Sequence, residues 1–194
     1  ADAHFIRGLN NLTKKKFKEA LDDFQAALEP PVNLRADKGN QRINQIKYWT
    51  GCAYEALGKA TEAQKLWNEV INPDQTGSIR QGLRTSGSRQ MQRYFETLSL
   101  MKLDPQTDTE NFFRDLSDLK NNMVINQDGQ REMQFIRETT LASLDEIAYP
   151  HYLAGLGLLG LGDKVNARKE FDAALQISPD FLSAKIELNI INLK

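Results

Sequence analysis

The sequence has very little of the residue types on which catalysis and metal binding depend. It holds a single cysteine, Cys52, and two histidines, His4 and His151. One cysteine excludes an intramolecular disulfide framework, and no CxxC or Cys/His metal cluster can be assembled from it. Charge of one sign is lacking as well: 25 Lys plus Arg stand against 26 Asp plus Glu, a net charge of −1. No global field draws in nucleic acid or an anionic membrane, and neither is expected as a partner. No apolar run approaches the roughly 18 residues of a spanning helix, so no membrane insertion is expected. The opening ADAHFIRGLN lacks a basic region followed by an apolar core. That predicts no signal peptide and a cytoplasmic chain. The initiator Met is missing too, which predicts a processed chain or a piece of a longer one. What remains is 194 residues, 40% of them hydrophobic, enough to bury a core.

What is present is an internal repeat. Ala20, Phe24, Ala27 and Leu28 share one spacing with Ala63, Trp67, Val70 and Ile71, and with Ala167, Phe171, Ala174 and Leu175. Offsets of four, seven and eight put each set on one helical face. The small residue lets a neighbouring helix approach, and the aromatic fills the space between the two. Twelve residues before each of these alanines stands a glycine: Gly8, Gly51 and Gly155. Glycine inside a helix costs roughly 1 kcal/mol relative to alanine. Three copies at one offset therefore predict a packing reason, the absence of Cβ admitting the partner helix. A short turn separates the two helices of each copy. It reads Leu57-Gly58-Lys59 and Leu161-Gly162-Asp163 in two copies, where Gly suits a left-handed helix C-cap, and Thr13-Lys14-Lys15-Lys16 in the other.

These residues resemble tetratricopeptide repeats, whose pattern of about 34 residues carries Gly, Ala, aromatic, Ala and Pro at fixed positions. The third copy matches through Gly155, Gly162, Ala167, Phe171, Ala174 and Pro179. The first matches through Gly8, Phe17, Ala20, Phe24 and Ala27, with Pro30 and Pro31 early. The second matches through Gly51, Tyr54, Gly58, Ala63 and Trp67, with Val70 in place of Ala and Pro73 displaced. The aromatic usual at the fourth position is replaced throughout, by His4, Lys47 and His151. The resemblance implies an all-α array of antiparallel helical hairpins, an α-α superhelix of about nine or ten helices in one domain over 1–194. Its repeat-like units cover about 1–34, 44–77 and 148–181, with a linker at about Glu29 to Asn40. The order of parts is also similar to the C-terminal repeat region of large bacterial multidomain proteins with an uncharacterised, carbohydrate-related N-terminal part.

The first two copies are 43 residues apart and the second and third 104 apart. The excess predicts a degenerate helical insert at about 88–147. Met91, Phe95, Leu98 and Met101 form one apolar face, and Phe112, Phe113, Leu116 and Leu119 another. Together they predict a hairpin of Arg89–Leu103 with Asp108–Lys120. Met133, Ile136, Thr140, Leu141, Leu144 and Ile147 predict a long helix from Gln130, which Pro150 breaks or restarts. After Pro179 a capping helix, about 180–194, carries Phe181, Leu182, Ile186, Ile190 and Leu193, widened by Leu188 and Ile191. So apolar a cap predicts a homodimer contact or packing against a missing domain.

Motifs that imitate chemistry have plainer readings. Gly155-Leu-Gly157-Leu-Leu-Gly160 is a formal GxGxxG, but it follows helical sequence instead of a strand, so neither nucleotide nor any other cofactor is expected. No metal site is expected at His4 or His151, which lack a ligand at helical spacing. Cys52 lacks a local base. Glu19, Asp22 and Asp23 read as a solvated helix face, and the lysines from Lys14 to Lys18 as surface charge in a turn. Asn11-Leu12-Thr13 fits a glycosylation sequon, but at a helix end. From Thr76 to Phe95 there are four arginines, Arg80, Arg84, Arg89 and Arg93, and no acid; from Asp104 to Leu119 there are five acids. The two blocks either pair across a helix packing or the arginines receive an acidic peptide or sugar carboxylate.

By the resemblance, the first helix of each repeat lines a concave face through Phe5, Leu9 and Leu12, through Gln45, Tyr48, Cys52 and Glu55, and through Tyr149, Tyr152, Leu156 and Leu159. These are mostly aromatic and aliphatic, so the groove either holds an apolar peptide segment or is filled by the chain's own middle helices. The expected function is a non-enzymatic protein-interaction scaffold whose partner is a protein or peptide. The alternative is an accessory C-terminal region of a larger carbohydrate-related protein whose catalytic part lies elsewhere.

Overall fold

A computed structural model of the chain describes residues 2–29, 42–72, 86–124 and 144–192. Among them run nine helices and no strand: α1 (Asp2–Thr13), α2 (Phe17–Leu28), α3 (Ile43–Ala56), α4 (Ala60–Ile71), α5 (Ser86–Leu103), α6 (Glu110–Val124), α7 (Leu144–Gly160), α8 (Lys164–Ile177) and α9 (Leu182–Asn192). The fold is all-α, and neighbouring helices pack as a helical repeat array. Pro30, Pro31, Pro73, Arg80, Arg84, most of the expected linker, the run from Met133 to Leu141, and Leu193 lie outside the described residues.

The chain gathers into two compact units, Ala1–Thr107 and Asp108–Lys194. In the first, α1–α2 and α3–α4 are hairpins, α2 packs on α3, and α5 covers both α3 and α4. In the second, α7–α8 is the hairpin, α6 packs on α7, and α9 packs on α8. Arg89–Leu103 falls in the first unit and Asp108–Lys120 in the second.

Each hairpin is held by the same contact. A Cβ built on Gly8 would lie 2.6 Å from Phe24 ring carbons. One built on Gly51 would fall within 3.0 Å of the Trp67 indole, and one on Gly155 within 3.0 Å of the Phe171 ring. The aromatic follows its glycine by sixteen residues in all three copies. All three aromatics are buried, as are Ala20, Ala63 and Ala167 one turn before them.

The turns are equally uniform. Lys15, Gly58 and Gly162 adopt positive φ of 59°, 74° and 84°. In each turn the amide of that residue donates three residues back, to Leu12, Glu55 or Leu159. The next amide donates five residues back, to Asn11, Tyr54 or Leu158. This pair of bonds is the Schellman closure of a helix C-terminus. The residue after the left-handed one then accepts the first bond of the following helix: Ala20, Ala63 and Ala167 donate to Lys16, Lys59 and Asp163. In the first copy a lysine occupies a conformation that glycine takes without cost.

One expectation is corrected in the second unit. Pro150 does not end a helix; α7 runs through it. A proline costs a backbone hydrogen bond and crowds the preceding turn, but α7 is packed on two sides and buried at every position from Tyr152 to Gly157, and that burial outweighs the loss. The formal GxGxxG is a packing track inside this helix. Gly155 faces Phe171 of α8. A Cβ on Gly157 would lie 2.6 Å from the Phe113 carbonyl oxygen and 2.9 Å from the Ser117 Cα, and one on Gly160 would enter the Phe113 ring. A helix apolar all round suits a place between two others. At the C-terminal cap, Phe181, Ile186 and Ile190 are buried, and Phe181 meets the rings of Tyr149 and Tyr152 at 5.9 and 5.3 Å. Leu182, Leu188 and Ile191 are half-buried, and Lys185 and Asn189 are exposed.

Two stability outcomes follow. Gly155→Ala and Gly157→Ala should each destabilise the protein by about 1–3 kcal/mol, against the roughly 1 kcal/mol gain alanine brings to an unobstructed helix position. Gly157→Ala should be the worse, because it meets backbone. Denaturant melts decide it, and a gain at either site would disprove the close approach. Lys15→Gly should stabilise by about 0.5–1 kcal/mol, a rise of roughly 1–4 °C in melting temperature. An unchanged or lower melting temperature would deny the strain.

Candidate functional site

The positions predicted to line a groove divide by burial. Phe5, Leu9, Gln45, Tyr48, Tyr152 and Leu156 are buried. Leu12, Cys52, Tyr149 and Leu159 are half-buried, and Glu55 is exposed. The buried ones have occupants from their own unit. Phe5 lies 5.9 Å from the Phe24 ring, and Tyr48 lies 5.8 Å from Phe95 of α5. Tyr152 lies 5.9 Å from Phe171. Gln45 accepts from Arg42 at 3.0 Å, and Arg42 also pairs with Asp2 of α1 at 3.1 Å. In the second hairpin, α5 lies over the face that the repeat spacing assigns to a groove. Burial first, then the neighbouring Cys52 and Tyr94, hold the Tyr48 phenol well above its ordinary pKa, so it stays neutral. Cys52, one turn along α3 from Tyr48, is half-buried.

Glu55 is held from α5 by Lys102 at 2.5 Å, and the same ammonium stands 5.5 Å from the centre of the Trp67 ring. The indole N–H of Trp67 donates to the Tyr48 carbonyl at 3.3 Å. One lysine thus ties α5 to both helices of the second hairpin, by an ion pair and a cation–π contact.

Sequence reasoning missed a polar clasp in each hairpin. Asp23 is not on a solvated face; its side chain is 5% exposed. It accepts from Arg7 Nε at 2.7 Å and from Asn11 Nδ2 at 2.9 Å, with His4 Nδ1 at 3.8 Å. In the third copy His151 Nδ1 lies 2.8 Å from Glu170 Oε2. In the second, Lys47 donates to Glu69 at 2.8 Å. The residues standing where the repeat pattern expects an aromatic are therefore basic, and each faces an acid on the second helix of its own hairpin. The signal was available: His, Lys and His at one repeat position, and an acid immediately before Phe24 and Phe171. Glu19 and Asp22 are exposed as expected.

The Arg7 guanidinium, more than any other neighbour, holds the Asp23 carboxyl below its usual range, against burial, which pushes it up. Arg89 and Arg93 are exposed on α5; Arg80 and Arg84 lie outside the described residues. Partners of the acidic block include local ones. Asp104 and Asp108 each accept from a backbone amide two residues on, and Glu110 pairs with Arg114 one turn away. Asp163 caps α8 through the Asn166 amide and side chain, and those bonds lower its pKa. Among the described residues no group of three His, Cys, Asp or Glu is placed to hold a metal ion, and no helix is long and apolar enough to cross a membrane.

No protein-family model matches the chain, and neither a curated protein nor a solved structure does.

Asp23→Asn carries a pH signature. Because the folded-state pKa is depressed, the contribution of this carboxylate is full above its ordinary value of about 3.9 and is lost as pH falls through the lower folded value. The substitution should lower the melting temperature by roughly 3–6 °C at pH 7. The gap should close towards pH 2.5. A gap of equal size at both pH values would mean the charge is not what Asp23 contributes.

Proposed function

We propose that this chain is a tetratricopeptide-like, non-enzymatic protein-interaction scaffold. The observation that carries the reading is the threefold recurrence of one building unit. The same glycine–aromatic contact, the same left-handed turn and the same pair of turn hydrogen bonds recur in α1–α2, α3–α4 and α7–α8. Modules of this kind stack into rigid surfaces that present side chains without rearrangement, and rigid presentation lowers the ordering cost of binding. Hairpins whose aromatic and polar links are closed internally leave recognition to their outward side chains. At the predicted groove positions Leu12 and Leu159 are half-buried, Tyr149 packs against Phe181, and Glu55 is exposed in its ion pair with Lys102.

The full chain, immobilised and exposed to extract of its source cells, should retain one or a few proteins saturably. A purified partner should then bind the folded chain with a defined stoichiometry. Binding should fall with Gly157→Ala in proportion to the unfolded fraction. Failure of every retained protein to bind saturably once purified would reject the scaffold reading.

A further inference from the structure

The turn between α1 and α2 differs from its two sister turns in one respect. All three share the left-handed residue and the same two closing hydrogen bonds, yet the first places Lys15 where the others place Gly58 and Gly162. A side chain in that conformation costs roughly 1 kcal/mol. Strain of this kind, observed at a surface turn, points to what the strained residue does there. Lys15 is not alone. Lys14, Lys15, Lys16 and Lys18 are all exposed, and none has an ion-pair partner among the described residues. Four ammonium groups therefore stand within five residues, at the hairpin turn of a chain whose net charge is −1.

We propose that this tip is a docking surface for an acidic segment of a protein partner. The proposal rests on the scaffold reading and names the chemistry of its partner. Three features select this class. Lysine is a compact, flexible point charge, suited to scattered carboxylates and not to bidentate capture. Glu19, next to Lys18 in the first turn of α2, and Asp22, one turn beyond Lys18, are exposed. An extended, uniformly negative surface, such as a bilayer or a duplex, would meet those acids as well as the lysines. A short acidic strand crossing the turn at Lys14, Lys15 and Lys16 meets lysines before it reaches those acids. Finally, the described tip residues offer no exposed aromatic to stack on a base and no exposed apolar side chain to enter a bilayer, since Phe17 is half-buried.

The test uses the full chain and a hexaglutamate peptide. Backbone amide shifts should move at residues 14–18, and binding should weaken steeply with salt. The triple variant Lys14→Gln, Lys16→Gln, Lys18→Gln should melt like the parent and bind about tenfold more weakly, each exposed pair contributing a modest factor. Lys15→Gly should separate the two roles of that residue, giving a higher melting temperature together with about two- to threefold weaker binding. Unchanged affinity in both variants, or shifts confined to other residues, would overturn the proposal. So would tighter lysine-dependent binding to phosphatidylserine vesicles or to an oligothymidylate than to the peptide. A purified partner that binds parent and triple variant equally would remove the lysine tip and leave the scaffold reading standing.

Discussion

The structure depends on a helix backbone coming within ring contact of an aromatic sixteen residues further on. Gly8 under Phe24, Gly51 under Trp67 and Gly155 under Phe171 leave no room for a Cβ. Once that distance is set, the connection between the two helices has little freedom. The second helix must return immediately, and a Schellman closure with one left-handed residue does this in the fewest residues. The uniform turns are thus a consequence of the uniform contact. Burying a large aromatic contributes about 1.5–3 kcal/mol, more than the roughly 1 kcal/mol that glycine costs its helix. The sign of the balance explains why a helix-weakening residue recurs at one position.

Variation among the copies is confined to what that contact leaves open. The indole of Trp67 brings an N–H that a phenyl ring lacks. The Tyr48 carbonyl accepts it, while Lys102 covers the ring from α5. The clasp at the fourth position changes chemistry from copy to copy, as His–Asp supported by Arg7 and Asn11, as Lys–Glu, and as His–Glu. The last two use partners 22 and 19 residues apart. A polar link at the edge of a hairpin tolerates such changes because its geometry is not fixed by close packing; the glycine–aromatic contact keeps one spacing in every copy.

The sequence made the hairpins legible because close packing constrains residue type at each position. Ala, aromatic and Gly recurred at fixed offsets, and the structure places each of them at the interface that the offsets imply. It was less informative where packing partners come from far along the chain. Nothing local told that α5 would cover the face of the second hairpin, or that Phe113 and Ser117 would lie against Gly157. Asp23 looked solvated because it neighbours Asp22, yet its burial is decided by Arg7 and Asn11 on the other helix. Pro150 looked like a boundary because local propensity disfavours it in a helix; tertiary burial of α7 prevails. The repeat pattern has the first helix of each hairpin line a concave face. In both units the chain supplies its own aromatics, Phe95 and Phe181, to those positions.

The three glycines of α7 illustrate why spacing alone misleads. A phosphate is held by backbone N–H groups that have no partner of their own, and a helix offers these only in its first turn. Gly155, Gly157 and Gly160 lie far beyond the first turn of a helix that begins at Leu144, where amides bond to carbonyls four residues back. What absence of Cβ can still provide there is proximity. It provides it in two directions, to Phe171 on one side and to the Phe113–Ser117 backbone on the other. A central helix that must be approached closely by two neighbours needs small residues on both faces, and two such faces in one helix generate a GxGxxG pattern with no ligand in view.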